Sequence, residues 1–332
     1  MVARVLTARH EALPLARPFR ISRGVKTVAD VIVVEIVQEG IVGRGEGVPY
    51  ARYGEDVAGS LAALQAVGDA IRAGASREDL LRAMSAGAAR NAVDCALWDL
   101  EARLSGRRVF DRLGLPDPLA PVPTALTVGL DEPDRMRAAA HELRDAPLIK
   151  VKVDASDPAA QLRAVRDGAP HPRLIVDPNE SWSLDEVRDL QDLMVDLRVD
   201  LLEQPLPAGQ DEGLRGFVSG IPIAADESLH TAQDLGDLPD GYSVVNVKLD
   251  KTGGLTAALE LRDAAQARGL GLMTGCMISS SLSIAPALAI AADSAFVDLD
   301  GPFWLAEDRP GGIANDHGML VPPRTDFWGG SV

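Results

Sequence analysis

Five residues in the order Lys152, Asp177, Glu203, Asp226 and Lys248 could assemble a metal-assisted acid–base site, since each follows a short apolar run at intervals of 22 to 26 residues. The three acids are hard oxygen donors with no Cys or His among them, so the set suits Mg²⁺ and disfavours zinc. One such acid could simply cap the helix after its strand; three on consecutive strands favour a shared site. Lys150 and Lys152 lie two apart on one strand and face the same way. Close ammonium groups beside a metal should make one of them easier to deprotonate, ready to take a proton near neutral pH. Lys248 lies four strands further round, which puts a base on each face of a bound substrate. The alternative, solvated surface lysines, fits poorly with such apolar strands. A divalent ion on both oxygens of a substrate carboxylate would stabilise the enolate left by the departing α-proton. Return of the proton by the opposite lysine inverts that carbon; the same residues also support elimination. Asp298-Leu299-Asp300 places two further carboxylates on one face, either as a turn or cap, or as a receptor for a substrate cation remote from the reacting carbon.

These residues must be carried by a repeating scaffold. Thr127, Lys152, Asp177, Glu203, Asp226, Lys248, Gly275 and Asp298 recur every 22 to 27 residues. Runs such as Leu174-Ile175-Val176 and Val244-Val245-Asn246-Val247, with helical stretches between them, mean parallel strands and crossover helices. Eight such strands make a β/α barrel, whose chemistry sits at the C-terminal strand ends. Local signals agree. Asp157-Pro158 starts one helix, Ser183 and Glu186 form a capping box with Val187, Leu190, Met194 and Leu197 on one face, and Gly253-Gly254 leads into another. Ser283–Ala292 reads as a barrel helix, and no eighth helix is evident after Asp300. The first 115 residues have a different rhythm. A strand from Val31 to Val37 turns at Glu39-Gly40 into Ile41–Gly45, and Ala86–Leu104 is an amphipathic helix. We therefore expect an α+β domain over residues 1–115, a barrel over 116–304, and a tail over 305–332 returning to the cap or the barrel wall.

The 332-residue length and 46% apolar content allow a large core, and a net charge of −16 argues against nucleic acid and anionic membranes as partners. Two cysteines make no disulfide framework and fit a reducing, cytoplasmic setting. No signal peptide or bilayer-spanning stretch is evident. Cys276 reads as a pocket wall, and His230 as structural.

The chain resembles the muconate-lactonising subgroup of the enolase superfamily. The likeness rests on Lys150-Val151-Lys152, Asp177-Pro178-Asn179-Glu180-Ser181-Trp182, Glu203-Gln204-Pro205, Ala225-Asp226-Glu227-Ser228, Asn246–Gly254 and Asn91–Leu100. It is most like the bacterial dipeptide epimerases acting on L-Ala-D/L-Glu, through Asp298 and Asp300, Ala88–Asn91, Arg52–Glu55 and Gly275–Met277. The resemblance implies a (β/α)7β barrel with an N-terminal capping domain, whose loops near residues 18–24 and 48–55 close the pocket. It implies Mg²⁺ on Asp177, Glu203 and Asp226, and Lys152 and Lys248 as the acid–base pair assisted by Lys150. Thr127, Gly275, Cys276 and Met277 would line the substrate site, and Asp298 and Asp300 would bind a dipeptide's ammonium. Arg20, Arg23 or Arg52 could receive a glutamate side chain, with Arg23 preferred. The expected partner is a small dipeptide from cell-wall peptide, and a homo-oligomer is expected. Alternatives are N-acylamino acid racemase or o-succinylbenzoate synthase, whose substrates lack the free ammonium, and, more remotely, a non-catalytic barrel.

Overall fold

A computed structural model describes residues 3–21, 24–116 and 119–330. The chain opens with an antiparallel sheet of β1 (Val5–Ile21), β2 (Gly24–Gln38) and β3 (Ile41–Gly47). Glu39 and Gly40 make the tight turn between β2 and β3, both with positive φ. The helix expected over 86–104 spans Ala88–Ser105 and lies directly on β3. Its seat is built by alternation. Gly43, Gly45 and Gly47 share one face of β3, and a Cβ on each would come within 2.3, 2.1 and 2.2 Å of the carbonyl oxygens of Ala96, Ala92 and Ala88. Those alanines recur every four residues, one helical turn apart. The intervening Arg44 and Glu46 point the other way, and the buried Glu46 bonds to Ser280 and Arg309 of the C-terminal half.

A short strand β4 (Val122–Pro123) precedes the barrel. Eight parallel strands follow in sequence order: β5 (Leu126–Val128), β6 (Leu148–Lys152), β7 (Arg173–Asp177), β8 (Leu201–Glu203), β9 (Ile223–Ala225), β10 (Val244–Val247), β11 (Gly271–Gly275) and β12 (Phe296–Asp298). The first and last meet through Ala125 N–H to the Val297 carbonyl at 2.7 Å and Leu299 N–H to Thr124 Oγ1 at 2.9 Å. The expected helix signals are in place. Asp157 caps Pro158–Gly168, Ser183 and Glu186 form a capping box, and Gly253 and Gly254 precede Leu255–Ala267. The run from Val187 to Leu197 differs, since the helix breaks at Leu190 into two short pieces. Directly after β12 the chain makes a short 3₁₀ turn, Gly301–Trp304, and no α-helix follows among the described residues.

The tail touches both halves. It forms β13 (Ala314–Asp316) and β14 (Met319–Val321), which pairs with β4. Trp328 donates to the carbonyls of Arg44 and Cys95. Among the described residues, no helix is long and apolar enough to cross a membrane.

Candidate active site

The barrel interior fixes where each polar side chain points. Ala125, just before β5, and Leu148, Ile175, Leu201, Ala224, Val244, Met273 and Phe296, one from each of the other seven strands, form an apolar cluster across the barrel. Strand side chains alternate, so residues two further along face the same interior. Those residues are Thr127, Lys150, Asp177, Glu203, Asp226, Asn246, Gly275 and Asp298. One more alternation adds Lys152, Lys248 and Asp300. Every residue singled out on the barrel strands thus converges at the C-terminal mouth.

There the charges interlock. Lys150 Nζ lies 2.7 Å from Glu203 Oε2, 2.8 Å from Asp298 Oδ2 and 3.0 Å from Asp177 Oδ2. Lys152 Nζ contacts Asp177 Oδ2 at 2.5 Å, and Lys248 Nζ contacts Asp226 Oδ2 at 2.5 Å. Lys251, one helical turn after Lys248 and fully buried, approaches Asp226 Oδ1 at 2.7 Å and donates to the carbonyls of Asp226, Leu229 and Asn246. Asn246 Nδ2 donates to Glu203 Oε1, and Asn179 donates through its backbone N–H and Nδ2 to Asp177.

The proton affinities follow from this packing. Burial disfavours the Lys150 ammonium, but Asp177, Asp298 and Glu203 outweigh it and hold the group well above the ordinary lysine range. Burial likewise opposes charge on Lys248, yet Asp226 holds it high. Burial and Asp177 raise Glu203 to about 8, with Lys150 opposing. Burial raises Asp226 too, but Lys248, Lys251 and Lys150 bring it well below the usual carboxylate range.

The donor set suits a hard cation. Asp177, Glu203 and Asp226 are at most 1% exposed. Glu203 Oε2 and Asp226 Oδ1 each have an ammonium close by but no aligned hydrogen bond. These unaligned oxygens leave acceptor capacity that a hard cation could use. Among the described residues, no three acidic, His or Cys groups stand in ready ligand geometry, because these carboxylates are turned onto the ammonium groups.

The cleft above is walled by both halves. Thr127, Cys276, Met277, Asp298 and Asp300 line it from the barrel, and Phe19, Lys26, Tyr50 and Tyr53 from the cap. Asp300 Oδ2 accepts from Thr127 N–H at 2.9 Å and Trp304 Nε1 at 3.2 Å; burial and Asp298 raise this carboxyl to about 6. Asp298 Oδ1 is buried without a hydrogen-bond partner. Gly275 lies beneath the lining rather than in it. A Cβ there would come within 2.9 Å of Lys248 Cε and 2.6 Å of Asn246 Oδ1, so glycine makes room for the lysine. Burial pushes the Cys276 thiol well up, which suits a wall and not a nucleophile. His230 stands edge-on to Tyr53.

The cap-loop arginines divide. Arg23 lies outside the described residues. Arg52 is paired with Glu180, and Arg20 lines a neighbouring groove. Lys26, which sequence reasoning passed over, faces the cleft beside the Tyr50 ring at 4.9 Å. Lys251 was also missed, although its one-turn spacing from Lys248 was a usable signal.

The family models agree with this architecture. Residues 3–114 match the mandelate racemase / muconate lactonizing enzyme N-terminal domain, and 135–325 match the enolase C-terminal domain-like model. The chain belongs to this enolase-superfamily lineage. It is 46% identical to the L-Ala-D/L-Glu epimerase of Escherichia coli K12, covering 92% of this chain and 95% of that one. It is 42% identical to the N-acetyl-D-glutamate racemase of a Pseudoalteromonas species, covering 90% and 95%. An Agrobacterium tumefaciens enolase family member with homology to dipeptide epimerases, solved with sodium and L-Ala-L-Glu, superposes with a TM-score of 0.95 at 46% identity, covering 98% and 99%. The Enterococcus faecalis V583 dipeptide epimerase, solved with Mg and L-Leu-L-Tyr, gives 0.89 at 29% identity, covering 97% of each chain.

Proposed function

We propose that the protein is a Mg²⁺-dependent dipeptide epimerase acting on L-Ala-D/L-Glu. The observation that carries this reading is the pair Asp298 and Asp300, buried in the cleft beside a two-lysine acid–base site. Asp177, Glu203 and Asp226 would hold Mg²⁺, which when bound supplies positive charge to the substrate carboxylate as its α-proton leaves. Lys152 ends the second barrel strand and Lys248 follows the sixth, so they face the α-carbon from opposite sides. One takes the proton in its neutral form, and the other, protonated, delivers one to the far face. Lys150 keeps Asp177 and Glu203 compensated. Asp298 Oδ1 offers an acceptor to the substrate ammonium, and Asp300 adds a second carboxylate. Lys26 or Arg23 would receive the anionic side chain. A cytoplasmic role on cell-wall peptides, a homo-oligomer, and a division into cap (1–115), barrel (116–304) and tail belong to the same reading.

The Pseudoalteromonas relative favours a second reading, racemisation of an N-acylated amino acid. Comparing L-Ala-L-Glu with its N-acetylated form separates the two. Charge-assisted hydrogen bonds to the ammonium are worth roughly 1.5–3 kcal/mol each. Acetylation should lower kcat/KM at least about a hundredfold, equivalent to roughly 2.7 kcal/mol. Preference for the N-acetylated dipeptide would favour the racemase and overturn the role given to Asp298 and Asp300.

A further inference from the structure

The loop after β7 adopts a backbone that its sequence does not favour. Asn179 and Glu180 have φ of 47° and 66°, two consecutive non-glycine residues in the left-handed region. Asn tolerates that region; Glu does so only when its surroundings hold it there. The holding contacts are specific. Glu180 N–H donates to the Gln204 carbonyl at 2.9 Å, and Glu180 Oε1 accepts from Ala208 N–H at 2.8 Å. From the cap, Arg52 grips both carboxylate oxygens, Nε to Oε2 at 2.8 Å and Nη2 to Oε1 at 2.7 Å. Glu180 is 7% exposed at its side chain and Arg52 39%, which places the pair at the rim of the cleft.

Both ends of this pair lead into the site. Arg52 sits in the short turn Ala51–Tyr53, between Tyr50 and Tyr53, which wall the cleft. Asn179, next to Glu180, donates to Asp177 twice, its N–H to Oδ1 at 2.8 Å and Nδ2 to Oδ2 at 3.2 Å. The left-handed turn aims both donors at one carboxylate.

We propose that Arg52 and Glu180 are positioning residues that couple the seating of the cap loop over the cleft to the orientation of Asp177. When the loop is down, the two-pronged grip of Arg52 fixes Glu180, and the left-handed turn keeps Asn179 on Asp177. When the loop lifts, the turn loses its outer clamp and Asp177 loses its fixed direction. The inference rests on the metal role proposed for Asp177.

The test uses full-length Arg52→Ala, Glu180→Gln and the double variant, with Arg52→Lys as a conservative control. Mg²⁺ binding is measured by calorimetry without substrate, hydrogen exchange is followed over residues 48–55 and 177–181, and KM and kcat are measured with L-Ala-L-Glu. Each single variant should bind Mg²⁺ about five- to tenfold more weakly, exchange faster in both segments and raise KM. The double variant should be no worse than the worse single one, because the pair acts as a unit. Arg52→Lys keeps the charge but loses the fork, and should fall between. Unchanged exchange at 177–181 in Arg52→Ala and Glu180→Gln would overturn the coupling, as would wild-type Mg²⁺ affinity with only catalysis impaired. A wild-type protein that binds no Mg²⁺ would instead overturn the functional reading, and this inference with it.

Discussion

Replacing Lys150 by methionine should expose how the charged core of the barrel is balanced. The side chain is 2% exposed, and its ammonium stands within 3.0 Å of Asp177, Glu203 and Asp298. Methionine fills the space of the aliphatic stem, so the change removes charge with little loss of packing. Three buried carboxylates then face one another with one cation fewer. Breaking a buried ion pair by removing one partner costs about 3–5 kcal/mol. For a protein of this size, that lowers Tm by roughly 4–7 °C. The deficit should narrow towards acid pH. Burial raises the Asp177 carboxyl, but Lys150 and Lys152 outweigh it and hold it below the ordinary range. Its contribution is therefore present above about pH 4 and is lost as pH falls through the lowered value. In the variant, the uncompensated acids take up protons more readily, which relieves their repulsion. Mg²⁺ should also stabilise the variant by more than it stabilises the wild type, since it replaces the missing charge. Calorimetric melting at pH 8 and pH 5, with and without Mg²⁺, reads all three effects. Equal Tm at pH 8 would refute the reasoning.

Three further perturbations follow from the structure. Burial raises Asp250 to about 7, while Val48 N–H and Asn91 Nδ2 both donate to its Oδ1. The unfolded carboxyl ionises near the ordinary value of about 4 and the folded one near 7, so stability is fully present only below about pH 4 and is lost as pH rises from there through 7; Asp250→Asn, which keeps both acceptor bonds, should therefore be about 1–3 kcal/mol more stable than wild type at pH 8 and show a flatter pH profile by denaturant titration, and a less stable variant at pH 8 would contradict this. Gly45→Ala drives a methyl to 2.1 Å from a helix carbonyl and should cost about 3 kcal/mol, read from the denaturation midpoint; an unshifted midpoint would show that the helix is not seated as described. Lys152→Ala and Lys248→Ala should each stop epimerisation while one epimer still exchanges its α-proton through the surviving lysine, followed by NMR in heavy water; wild-type epimerisation in both would refute a two-base mechanism.

The barrel was legible because each strand carries its own label. An apolar residue facing the interior is followed two positions later by a polar one, as in Leu148 and Lys150 or Leu201 and Glu203, and the period of two brings them together. The long strand β1 was not legible, because its side chains are all partly or fully exposed and no apolar run marks it. Asn91 and Asp250 could be read only as motif letters, and Lys251 offered only its one-turn spacing from Lys248. Their roles depend on contacts between distant segments, such as Asn91 to Asp250 and Lys251 to three carbonyls. Arg52 was misread as available to substrate for a similar reason: its partner Glu180 comes from another strand end and is aimed by a left-handed turn that sequence spacing does not reveal.

The central claim is tested most directly by incubating the purified protein with L-Ala-L-Glu in heavy water, with Mg²⁺ and after chelation. The account predicts L-Ala-D-Glu carrying deuterium at the glutamate α-carbon, formed only with Mg²⁺ present and restored when Mg²⁺ is returned. Dipeptide that keeps both its configuration and its α-proton in the presence of Mg²⁺, or full activity after the metal is removed, would contradict it.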